Sequence, residues 1–260
     1  MELSFWLEIS QARFVTALLI FARLSGVLMV APLLSSRSVP PQIRVGLAVM
    51  FSLLLTPLFP PLQVSSLPLL VVGLVKEGVV GLILGWLASL IFSCVQMAGE
   101  WLDLQAGFQA GQLFNPLFQS GVGALGNLKY VLAGMIFLTV GGHGIVLRAA
   151  AESFRVSPPG VLEIGVGSLQ DWFGFLSRTL GITIQIAAPV GVTLFMTEMA
   201  LSIVNRALPQ LNVLMLSLPL KALLAITILT ATIPALSNAL SLVFSNMGSA
   251  LIAGLRILGS

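Results

Sequence analysis

Charged residues stand inside stretches of this chain that are otherwise too apolar for water. Arg23 lies within an apolar run at 14–34, and the pair Lys76-Glu77 interrupts another at 67–95. Away from water every backbone N–H and C=O must be satisfied internally, and a charge at that depth is tolerated where it faces protein or a water-filled cavity. Prolines interrupt the runs as well, at Pro32, Pro57, Pro189, Pro219 and Pro234. The expected fold class is all-α: Pro-broken hydrophobic helices and helical hairpins that pack on other protein, around a passage, with a Gly/Phe-rich internal loop.

Composition narrows the function. The chain has 12 basic and 9 acidic residues among 260, is 57% hydrophobic, and has a mean hydropathy of +1.06. This is the composition of an integral membrane protein, with room for roughly six or seven spans of about 20 residues. The basic residues are scattered singly and form no stripe that could track phosphates, so no nucleic-acid partner is expected. Cys94 is the one cysteine, which leaves no intrachain disulfide and reads as a small buried hydrophobe. Glu2 and Glu8 open the chain in place of a basic region, so the first helix is expected to be retained and not cleaved as a signal.

Charge-poor segments fall at about 14–34, 45–60, 67–97, 130–147, 179–204 and 211–255. Residues 222–255 carry no charge over 34 positions. One helix of that length would run about 51 Å against a bilayer core of about 30 Å, so Pro234 and the polar positions Ser237, Asn238, Ser245 and Asn246 suggest a hairpin or a bent helix. Residues 35–44 form a short turn with two arginines, and 148–178 is the most polar stretch. A six-span reading puts Arg13, Lys76, Arg148, Arg155, Arg178 and Arg256 on one side. Arg37, Arg44, Lys129, Arg206 and Lys221 fall on the other, and six against five gives no orientation.

Several motifs invite a chemical reading. Gly121, Gly123 and Gly126 spell GxGxxG, but no strand precedes them and the expected acid about 20 positions on is missing; they read as loop glycines. His143, the single histidine, has no partner for a zinc site and reads as a structural histidine at a helix end. Glu100 and Asp103 share one helical face just past the span ending near Ala98. They suit ion pairs with basic residues of neighbouring helices better than a carboxylate dyad. Gly81-xxx-Gly85 would let another helix approach closely. The segment 104–128 carries no charge but five glycines and three phenylalanines, Phe108, Phe114 and Phe118. It is too broken for a stable span and too apolar for a free loop, which fits either an interfacial re-entrant loop or a loop that folds into a passage and blocks it.

These stretches together resemble the FliR family of type III protein-export gates. The likeness rests on Ala31-Pro32-Leu33-Leu34-Ser35-Ser36-Arg37-Ser38-Val39-Pro40 followed by Arg44-Val45-Gly46-Leu47-Ala48, on Lys76-Glu77 with Gly81 and Gly85, and on Ala98-Gly99-Glu100 with Asp103. Further along come Gln105-Ala106-Gly107-Phe108, Gly142-His143-Gly144, Ser153-Phe154, Pro158-Pro159-Gly160, Ala188-Pro189-Val190, Arg206-Ala207-Leu208-Pro209-Gln210-Leu211-Asn212-Val213 and Leu218-Pro219-Leu220-Lys221. Asn115-Pro116 stands where the family more often has Asp-Pro, and Ser202 where many flagellar members have Gly.

The resemblance implies a non-enzymatic structural subunit of the flagellar export gate in the bacterial inner membrane, at the flagellar basal body. It implies no cofactor and no metal. Partners would be FliP-like and FliQ-like gate subunits, a FlhB-like subunit and exported unfolded proteins. Residues 1–260 would form one helical domain, with a FliP-like part at 1–178 and a FliQ-like hairpin at 179–260. Phe108, Leu113, Phe114, Asn115, Pro116 and Phe118 would belong to the pore loop. Arg37, Lys76, Glu77, Glu100, Asp103, Arg206 and Lys221 would serve subunit contacts. The injectisome counterpart shares parts of the pattern. A small-solute transporter using Lys76, Glu77, Glu100 and Asp103 would need an internal repeat, which the chain lacks. An intramembrane enzyme would need a paired nucleophile and base or a metal set.

Overall fold

The computed structural model describes residues 2–36, 39–64, 66–108, 123–160, 169–207 and 213–258, and every regular element among them is helical. In order these are α1 (Glu2–Val30), α2 (Pro41–Leu55) running into a 3-10 turn at Thr56–Leu58, and α3 (Leu67–Ala106). Then follow α4 (Ala124–Thr139), α5 (Gly142–Val156), α6 (Leu169–Ala207), α7 (Val213–Ser245) and α8 (Met247–Leu258). Five helical stretches are long and apolar enough to cross a membrane, or six if α4 and α5 are counted as one broken span.

The prolines divide into two sorts. Pro32 lies in the turn that ends α1, and Pro57 in the 3-10 turn, as the sequence suggested. Pro189 lies inside α6, and Pro219 and Pro234 inside α7, so the expected breaks there do not occur. A proline costs its helix one backbone bond. In apolar surroundings, however, the flanking residues have no water to turn to, and the helix continues. The charge-free stretch instead turns at Asn246, between α7 and α8. The expected segment 130–147 is also divided, because Gly141 takes a left-handed φ of 75° between α4 and α5.

The chain forms two compact units, each discontinuous in sequence. The first comprises Met1–Leu90, Gly141–Phe175 and Ser245–Ser260. Within it α1 packs on α2, and α5 on α8. Helices α1 and α3 approach so closely that a Cβ at Gly81 would strike the carbonyl oxygen of Arg23. One at Gly85 would come within 2.8 Å of the Val27 oxygen, and one at Gly26 within 2.6 Å of the Gly78 oxygen. The Gly81-xxx-Gly85 spacing therefore does what small residues do between membrane helices. Thr16 adds a tie, its hydroxyl accepting from the N–H of Leu62 at 3.0 Å.

The second unit comprises Ile91–Val140 and Leu176–Phe244. Its core gathers Leu102, Ala106, Leu125, Val190, Leu194, Ala225 and Leu229. Phe92, Phe137 and Phe244 form a triangle with ring centroids 5.3 Å apart, two of its three pairs edge-on. Such pairs add about 0.5–1.5 kcal/mol each beyond the area they bury.

The α1–α3 contact yields a direct test. Gly81→Ala should destabilise the protein by about 1–3 kcal/mol through overpacking, despite the better helix propensity of alanine. Gly46→Ala, where an added Cβ meets nothing within 4 Å, should leave stability unchanged or raise it. Unfolding in mild detergent, followed by circular dichroism, compares the two.

Candidate functional site

Of the charges inside the apolar runs, Arg23 and Glu77 find each other within the chain. Arg23, on α1, is fully buried, and its Nε donates to Glu77 Oε2 on α3 at 2.6 Å. Its Nη1 donates to Ser153 Oγ on α5 at 3.1 Å, and the Phe154 ring lies 4.2 Å from the guanidinium carbon. The other Glu77 oxygen accepts from the N–H of Gly160 at 2.9 Å, in the turn made by Pro158-Pro159-Gly160. One ion pair thus joins α1, α3, α5 and that turn within the first unit. Leaving either ion alone in such a place would cost several kcal/mol, about 3–5 when one partner is removed. Lys76, the neighbour of Glu77, is exposed, because adjacent residues of a helix point about 100° apart.

Asp103 does something the sequence reading missed. It is fully buried near the end of α3, and its carboxylate meets the start of α4. Oδ1 accepts from the N–H of Leu125 at 2.9 Å and Oδ2 from that of Gly126 at 2.8 Å. Those are two of the four N–H groups that the start of a helix leaves without an intrahelical partner, and the local N-cap, Gly123, has no side chain to offer them. The backbone carbonyl of Asp103, meanwhile, accepts from the N–H of Phe108 at 3.0 Å, while the N–H of Gly107, at a φ of 81°, donates to the Leu104 carbonyl at 3.3 Å. That pattern closes the C-terminal end of α3 as a Schellman motif. A single residue therefore finishes one helix with its backbone and begins the next with its side chain.

The glycines make room for this. A Cβ at Gly123 would strike the Asp103 carboxylate, and one at Gly99 would strike the backbone of Gly126. Gly126 thus lies in the first turn of α4, and Gly123 is its cap, so these two are helix-start glycines and not plain loop glycines. The expected loop 104–128 is accordingly shorter. Leu104–Ala106 belong to α3 and residues 124–128 to α4. Residues 109–122 lie outside the described residues, and with them Leu113, Phe114, Asn115, Pro116 and Phe118. Phe108, at the described edge, is 37% exposed.

The other expected contact residues are dispersed. Glu100 accepts from Gln96 Nε2 at 2.9 Å, one turn back on the same helix, and not from a basic residue of a neighbouring helix. Lys221 pairs with Glu198 at 3.1 Å, with Glu198 largely exposed. Arg206 is exposed at the end of α6, and Arg37 lies outside the described residues. His143 is exposed in the first turn of α5, and Cys94 is buried. Among the described residues no three His, Cys, Asp or Glu side chains gather where a metal could bind.

The six-span reading puts Lys129 on a connection between spans. The residue lies inside α4, is 1% exposed and feels the charge of Asp103. Its spacing carries the signal: Leu125, Lys129, Ala133 and Phe137 recur every four residues and, with Gly126, lie on the buried face of α4.

The arrangement defines a class: a helical membrane protein whose polar residues serve to position backbone and join helices. A sequence profile of the family described as "Bacterial export proteins, family 1" matches residues 14–247, and the chain belongs to that family. It is 32% identical over 219 residues to the flagellar biosynthetic protein FliR of Bacillus subtilis, covering 78% of this chain and 80% of that one. It is 27% identical over 232 residues to FliR of Escherichia coli, covering 86% and 87%. The secretion system apparatus protein SsaT of Salmonella typhimurium is 30% identical over 164 residues, covering 62% and 63%.

The Asp103 cap can be tested locally. Asp103→Ala should destabilise the start of α4 by about 1–3 kcal/mol, since two buried N–H groups lose their acceptor. Asp103→Asn, which keeps one acceptor oxygen, should lose less. Amide hydrogen exchange at Leu125 and Gly126 reads the difference, with exchange fastest in the alanine variant.

Proposed function

We propose that this chain is a non-enzymatic structural subunit of the flagellar type III protein-export gate. It would line and close the channel through which unfolded flagellar proteins cross the bacterial inner membrane, at the flagellar basal body. The observation that carries the reading is likeness to FliR proteins over more than three quarters of both chains. The injectisome reading is favoured less, because the SsaT match covers 62% of the chain. The fold adds support. Only about a fifth of the apolar stretches Ala187–Ala207 and Ser217–Ser245 is buried within the chain. Helices built to lie against neighbours look like this. FliP-like, FliQ-like and FlhB-like subunits are the partners the reading implies, and exposed Lys76 and Arg206 are the charges best placed to meet them.

Extraction in mild detergent tests the subunit reading. The chain should come out with smaller hydrophobic subunits, and deleting its gene should abolish secretion of flagellar proteins. A monomer or homo-oligomer that moves a small solute would overturn it.

Within the same reading, the Gly/Phe-rich segment with Phe108, Phe114 and Phe118 is the plug. A passage wide enough for an unfolded chain would short-circuit the membrane unless apolar bulk excluded water from it, as hydrophobic constrictions do. Of the three rings we favour Phe114, next in sequence to Asn115-Pro116, because a proline restricts the backbone beside it. Deleting residues 108–118 should leave an assembled gate that leaks ions, measured as membrane conductance or as poor growth under ionic stress. An assembled gate that leaks no more than the intact one would remove the plug role.

A further inference from the structure

In the second unit, residues of α4, α6 and α7 line a cavity of about 300 Å³. Much of its wall is apolar, with Leu229, Leu236, Leu240 and Val243 among the residues that face it. Lys129 also faces it, although the residue is 1% exposed. Beside it are Gln185 and Pro189. Pro189 has no N–H, so it cannot donate to the Gln185 carbonyl one turn earlier in α6.

Among the described residues Lys129 makes neither a hydrogen bond nor an ion pair. Asp103 acts on it through space, but its carboxylate is held by the N–H groups of Leu125 and Gly126 and makes no ion pair with Lys129. The ammonium therefore keeps three donors for something that enters the cavity. Arg23, the other fully buried cation among the described residues, has its carboxylate at 2.6 Å. A buried charge without one is costly.

We propose that Lys129 is a socket for a carboxylate carried on an apolar helix of a neighbouring subunit. This rests on reading the chain as part of a multi-subunit gate. Charge complementarity selects an acid, and the surroundings select how it arrives. Leu242, which lines the cavity, is apolar and more than half exposed, as are Ile184 and Val192 on α6, so an incoming helix would meet apolar surface beside one cation. The charged group of a lipid is held at the water interface by its own hydration, whereas an acid placed mid-helix is delivered to depth by its backbone.

A zero-length cross-link tests this in the assembled complex. Dicyclohexylcarbodiimide, which partitions into apolar sites, activates a carboxylic acid. The neutral Lys129 amine then attacks the carbonyl carbon, an amide forms, and the carboxyl oxygen leaves on the urea. Peptide mass spectrometry should find Lys129 joined to an Asp or Glu of a partner subunit. Lys129→Met should lower recovery of that partner by about tenfold or more, as loss of one member of a buried charge pair does. Lys129→Arg should retain the partner and lose the cross-link. Lys129→Glu combined with Lys at the partner's acid should restore recovery, which a folding defect would not allow. Cross-linking confined to Asp103 or to a lipid, or unchanged recovery in Lys129→Met, would overturn the socket while leaving the gate reading intact. A chain that purifies without any partner would overturn both.

Discussion

Where water is absent, a polar group must find its partner inside the protein, and that requirement organises this structure. Two buried carboxylates meet it in different ways. Glu77 neutralises a buried guanidinium and uses its second oxygen on a backbone N–H across the turn at Gly160. Asp103 takes up no cation directly and instead supplies acceptors to a helix start. Both fix backbone in place. In hydrocarbon or in a dry interior the cost of leaving either group unmatched is several kcal/mol, comparable to the whole stability of many domains.

The helix-start geometry explains why a dinucleotide-like glycine pattern occurs without a dinucleotide. In nucleotide-binding proteins such glycines let a phosphate approach exposed N–H groups at the start of a helix. Here Gly123 and Gly126 let α4 settle onto α3 closely enough for a carboxylate to take the place an external anion would fill. The motif's physics is retained, and the anion is part of the chain. Because the carbonyl of the same Asp103 also closes α3, the segment between Phe108 and Gly123 starts and ends at one residue.

The α1–α3 contact follows the same economy of space. Gly26, Gly81 and Gly85 bring two backbones close enough that Arg23 reaches Glu77 with a nearly ideal N–O distance of 2.6 Å. A larger residue at any of the three would separate the helices and stretch the ion pair, so close packing and charge pairing depend on each other. Along α6 and α7, by contrast, the long apolar faces carry few such contacts inside the chain. What they lie against is decided by their surroundings.

The sequence determined the composition-level facts: helices, a membrane setting, buried charges and a close approach at Gly81 and Gly85. Hydropathy and short-range spacing carry that information, because helices form from local bonds and small residues announce where backbones can meet. The family likeness was legible too, in ordered motifs from Arg23 to Lys221. Local pattern misled in three places. Pro189, Pro219 and Pro234 looked like breaks but lie within helices, since a helix in apolar surroundings has no better partner for its backbone than itself. Glu100 and Asp103 looked like one pair with one role, yet Glu100 bonds along its own helix while Asp103 caps another. Lys129 looked like a loop charge and is buried. Only the tertiary structure could decide these, because a side chain's partner 22 residues away, as Leu125 is from Asp103, is fixed by how helices cross and not by anything within a turn of it.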